Sequence, residues 1–135
     1  MSLIEASALV VVVLAGVYLL ALGAASLVAP ARASRFLLGF ASSRPVHFAE
    51  LAVRSVIGAA LMIHAPRMLL PAAFNVVGWL LLVTTACLLL VPWQWHRRFA
   101  RHAVPRAIRH ITLIGLASLV FGGVIVAAVA LGGAT

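Results

Sequence analysis

The sequence contains no lysine and no aspartate, two acids, Glu5 and Glu50, one cysteine, Cys87, and one tyrosine, Tyr18. A lone cysteine excludes an intrachain disulfide and a CxxC redox or zinc centre, and its place inside an apolar run reads as a buried small hydrophobe. One acid embedded in an apolar segment offers no carboxylate pair for glycoside hydrolysis, and no Ser/His/Asp arrangement for acyl transfer is evident. Charge of any kind is scarce. Charged residues make up 9% of the 135 residues, hydrophobic residues 65%, and the mean hydropathy is +1.22. A soluble domain carries about a quarter charged residues and about half apolar ones, so this composition excludes a water-soluble globule and points to a bilayer.

What charge there is comes from ten arginines, giving a formal net charge of +8. A balance that basic suits nucleic acid in other settings. Here the arginines cluster in short segments between apolar runs, where they read as topology signals and contacts to anionic headgroups, so no nucleic-acid partner is expected.

Four apolar runs are long enough to cross a hydrocarbon core that takes roughly 20 helical residues. The spacing predicts an all-α protein with a single integral membrane domain over 1–135 and helices at about 4–29, 46–65, 74–91 and 111–131. The first run is expected to be a retained helix and not a cleaved leader, because no Lys or Arg precedes it, Glu5 sits in its first turn, and it exceeds the usual 7 to 15 apolar residues. Ser42 and Ser43 before Pro45 predict the start of the second helix, and Pro66 its end.

Small residues suit close helix approach: Gly58 in the second helix, and Gly115, Ser118, Gly122 and Gly123 in the fourth. The connections carry the basic charge. Residues 30–44 set Arg32, Arg35 and Arg44 among Phe36, Leu37, Leu38 and Phe40, which predicts a segment lying along the interface. Residues 92–110 predict a short amphipathic surface helix broken before Pro105, with Trp93, Trp95, Arg97, Arg98 and Arg101 as its lipid or partner surface.

Eight of the ten arginines lie in these two connections. Because cytoplasmic segments collect Arg and Lys, both connections are expected in the cytoplasm and both termini outside. The halves resemble one another. Leu27, Val28, Pro30 and Arg35 run parallel to Leu90, Val91, Pro92 and Arg97, which suggests two hairpins and a parallel internal repeat.

The second helix opens with the one polar cluster. His47, Glu50 and Arg54 fall on one helical face, with Glu50 and Arg54 four residues apart in the favourable order for an intrahelical pair. Such groups are costly in lipid and must be partnered. Two readings stay open: a site that relays protons or grips an anion, headgroup or quinone, and a structural pair that sets helix register. The five histidines raise haem or a metal, for example with His47 and His110 as facing ligands. No zinc-type spacing is present, and no cofactor is expected.

Glu50, Arg54 and Gly58 near the start of the second helix resemble small uncharacterised bacterial four-helix proteins of the DoxX-like kind. The resemblance covers the four helices in outline and implies no activity. The expectation is a small polytopic protein of a bacterial inner membrane, more an accessory or interaction subunit than an enzyme. Its expected partners are anionic lipids and other membrane subunits or itself. The alternative is a small proton-coupled or lipid/anion transporter built on His47, Glu50 and Arg54.

Overall fold

The structure, a computed structural model, describes residues 1–39 and 44–132, with Arg44 described by its backbone alone. The elements are α1 (Leu3–Val28), α2 (Pro30–Leu38), α3 (Arg44–His64), α4 (Pro71–Leu90), α5 (Trp93–Ile108) and α6 (Ile111–Gly132), with a 3-10 turn at Ala65–Arg67. Four helices, α1, α3, α4 and α6, are long and apolar enough to cross a membrane, so the chain is a multi-pass, all-helical membrane protein. The serine cap expected at Ser42 or Ser43 lies outside the described residues. α4 starts at Pro71, three residues before the expected Phe74, because proline is well suited to a first helical turn.

Glu5 belongs to a helix cap. The Ser2 hydroxyl accepts from the Glu5 N–H at 3.1 Å, and the Ser2 N–H donates to the Glu5 carboxylate at 2.8 Å, a reciprocal box that satisfies free donors of the first turn. The other oxygen of the carboxylate lies 3.2 Å from Arg67 Nη2, joining the start of α1 to the turn after α3. That turn is tight. Leu70 takes a left-handed conformation with φ 55, and the Leu69 N–H donates to the Ala128 carbonyl of α6 at 3.2 Å.

Glycines decide which helices approach most closely. α1 and α6 run antiparallel with Gly16 against Gly122 and Gly23 against Gly115; a Cβ on Gly122 would lie 2.8 Å from the Gly16 carbonyl oxygen, and one on Gly23 2.7 Å from that of Gly115. α3 and α4 meet in the same way at Gly58 and Gly78. α1 also packs against α3, so the spanning helices stand in the order α6, α1, α3, α4. The closest approaches therefore join the first helix to the fourth and the second to the third, and not the neighbours that chain order suggests for two hairpins. Gly58, Gly115 and Gly122 lie at these crossings. Gly123 does not: nothing lies within 4 Å of where its Cβ would be, because it is turned about 100° from Gly122 around the helix. Ser118 is half-buried.

The core sits at the end of the bundle away from the basic connections. Ala8 and Val12 of α1, Leu61 of α3, Phe74 of α4 and Ile125 of α6 meet there. Towards the basic end α4 keeps its packing on α3, while its edge towards α6 has no comparable packing among the described residues. With one face of α4 engaged, Cys87 is exposed, not buried as its apolar surroundings suggested.

Each connection contains a helix. α2 folds back beside α1, burying Ala33 and placing the Phe36 ring 6.5 Å from that of Tyr18. α5 continues through Pro105 to Ile108, so the break expected there is absent. Proline removes one N–H and crowds the preceding turn, yet Pro105 and Arg101 are both exposed, where water can satisfy the freed carbonyl. Pro105→Ala is expected to stabilise the folded protein by about 1 to 3 kcal/mol, read as a raised thermal midpoint in detergent. An unchanged or lowered midpoint would show that α5 is not helical across this point.

Candidate functional site

The polar residues gather where α4 turns into α5. His47, Glu50 and Arg54 lie successively along one side of α3, each about one turn from the next. His47 and Arg54 reach different helices. Arg54 crosses to α4, its Nε donating to Thr85 Oγ1 at 3.1 Å and its Nη2 to Thr84 Oγ1 at 2.6 Å. Both threonine hydroxyls donate back to their own helix, Thr84 to the Leu80 carbonyl and Thr85 to that of Leu81, each at 2.6 Å. Their lone pairs are thus left free to accept from the guanidinium.

This corrects the expected intrahelical pair with Glu50. Among the described residues the one ion pair is Glu5 with Arg67, and no carboxylate lies within 4.0 Å of the Arg54 guanidinium. Arg54 stands about 15 Å along α3 from Arg44, and Thr85 about 8 Å from the end of α4, well inside the apolar span. Two hydroxyls on the facing helix lie level with the guanidinium. They take its donors in place of the Glu50 carboxylate one turn away on its own helix.

His47 is buried, 1% exposed, and meets α5. Its Nδ1 lies 2.6 Å from Nδ1 of His96, the ring centroids are 4.6 Å apart, and the Phe48 ring stands edge-on at 5.1 Å. The facing histidine is therefore His96 in the first turn of α5, not His110, which is exposed at the far end of that helix. Glu50, between His47 and Arg54, is half-buried, and no hydrogen bond or ion pair engages its carboxylate among the described residues. No group of three or more His, Cys, Asp or Glu that could hold a metal ion occurs among those residues.

The expected surface of α5 divides in two. Trp95, Arg98 and Arg101 are exposed, with Trp95 at 64% and the neighbouring Phe99 at 70%. Trp93 and Arg97 are half-buried and packed on each other, the guanidinium carbon 5.3 Å from the indole centroid. Their Nε1 and Nε donors are covered by protein and have no hydrogen-bond partner among the described residues. A residue four along a helix returns to the same face, so this pair occupies one face and Trp95 with Phe99 another.

At the opposite end, between α1 and α3, lies a groove of about 390 Å³. Leu3, Ile4, Val11, Val56 and Ile63 line it, and Ser7 is its one hydroxyl, so it offers lipid-like chemistry and no reactive group. Comparison with protein families, with curated proteins and with solved structures finds no match to this chain.

Proposed function

We propose that this protein is an accessory or interaction subunit that takes a transmembrane helix of another membrane protein against α4. The observation that supports this reading is the one-sided packing of α4: beyond Phe74 in the shared core it packs chiefly along α3, while Val76, Trp79, Leu80 and Val83 are exposed. Lipid can cover such a face. A partner helix covers it with closer packing, and Arg54 and Thr84 at its inner end add a polar contact.

The proposal places the protein in a bacterial inner membrane with α2 and α5 on the cytoplasmic side, following the arginine distribution. It includes anionic headgroups at Trp95, Arg98 and Arg101, and it keeps the DoxX-like resemblance as a lead. It also includes an internal repeat. The register that lays Pro30 on Pro92 also lays Gly16 on Gly78, and Gly58 then falls near Gly122, so the two glycine crossings occupy equivalent places.

Isolation from native membranes in mild detergent tests the reading. A stoichiometric larger complex that dissociates with Leu80→Ala and Val83→Ala, in a protein that still folds, is the expected result. A homodimer alone would overturn it and favour the second reading, a proton-coupled or lipid/anion transporter. The Glu50 carboxylate, with no hydrogen bond or ion pair among the described residues, is the observation behind that second reading: Glu50→Gln would then abolish transport while leaving assembly intact.

A further inference from the structure

We propose that His47 and His96 form a proton-binding site that latches the surface helix α5 to α3, holding with one shared proton between the rings and releasing when both rings are protonated. The geometry carries this. Two ring nitrogens 2.6 Å apart require that one present a proton and the other a lone pair. In the neutral pair, one histidine donates through Nδ1–H and the other accepts at Nδ1, its own proton being on Nε2. A first added proton goes to Nε2 of the donor ring and makes the bond charge-assisted, so the latch tightens. A second must occupy the accepting Nδ1. Two N–H groups then face each other between two cations, and the contact cannot persist.

Charged groups surround the pair on several elements. On α3, Glu50 lies one turn from His47, while Arg54 one turn further is held by Thr84 and Thr85. On α5, Arg97 follows His96. On α2, which packs against α5, Arg32 and Arg35 are exposed, and His110 before α6 is exposed as well. Arg44 opens α3, with its side chain outside the described residues. α1 brings Tyr18, which stacks with Phe36, and Glu5 at its far end; α4 brings no charged group. His47 is buried, whereas His96 is half-buried.

The latch gives α5, with its exposed Trp95, Phe99, Arg98 and Arg101, two positions selected by proton concentration. The test is a spin-label distance between Ala52→Cys on α3 and Arg98→Cys on α5, both exposed, in a Cys87→Ala background in lipid nanodiscs. A narrow distribution is expected at about pH 8 and a broader, longer one at about pH 4.5, below the ordinary histidine range. His96→Phe keeps a ring without a titratable nitrogen, and His96→Gln keeps a polar group; each is expected to give the same distribution at both pH values. An unchanged distribution with both histidines present would overturn the proposal. A pH-dependent change that survives in either variant would overturn it too.

Discussion

Replacing Gly23 by leucine is expected to pull α1 away from α6 and abolish the folded bundle. A Cβ at Gly23 would lie 2.6 Å from Leu119 Cγ, 2.7 Å from the Gly115 carbonyl oxygen and 2.9 Å from the Leu119 backbone nitrogen. Two of these neighbours are backbone atoms, so relief requires moving a helix. Even alanine should cost about 1 to 3 kcal/mol, the range for overpacking, and leucine more. Gly123→Ala is the matched control in α6: with nothing within 4 Å, it should be neutral, or stabilising by about 0.5 to 1 kcal/mol through helix propensity. Unfolding in mixed micelles reads both. Equal effects at the two glycines would contradict the glycine crossing.

The second large effect concerns the threonines under Arg54. Valine at both Thr84 and Thr85 preserves shape and leaves the guanidinium inside the apolar span without acceptors. Hydrogen bonds to charged groups are worth about 1.5 to 3 kcal/mol each, so the double variant should lose several kcal/mol or misplace α4. Removing the charge instead should be mild. Arg54→Met leaves both hydroxyls bonded to the Leu80 and Leu81 carbonyls and removes a cation from an apolar setting, with an expected change within about 1 kcal/mol. The opposite ranking, with Arg54→Met severe and the double valine tolerated, would show that Arg54 is bound by something other than these hydroxyls.

How much of this was legible in the sequence depends on what each feature needs. The four spans follow from length and hydropathy alone and fall within a few residues of those expected, since no alternative satisfies so many backbone groups in lipid. The order of the helices does not follow, because four apolar helices present similar faces. The informative signal is the seven-residue recurrence of Gly16 with Gly23 and Gly115 with Gly122, two turns apart on both partners, and Gly123 lies outside it. The Ser2-x-x-Glu5 cap was readable as a capping box. The polar site was half legible. Its three residues on α3 stand out against an apolar helix, but their partners are common residues: Thr84 and Thr85 pass for strays in a hydrophobic run, and His96 is one of four histidines towards the basic end. Pairing across helices is set by rotation and depth, which composition does not encode.

Four crossings of a bilayer put α2 and α5 on one side and the Ser2 and Arg67 ends on the other. Single cysteines at Ser2, Arg35, Arg67 and Arg98 in a Cys87→Ala background, probed with a membrane-impermeant maleimide before and after permeabilising sealed vesicles, test this directly. Ser2 and Arg67 should label from one side, and Arg35 and Arg98 from the other. Labelling of all four from the same side would contradict it.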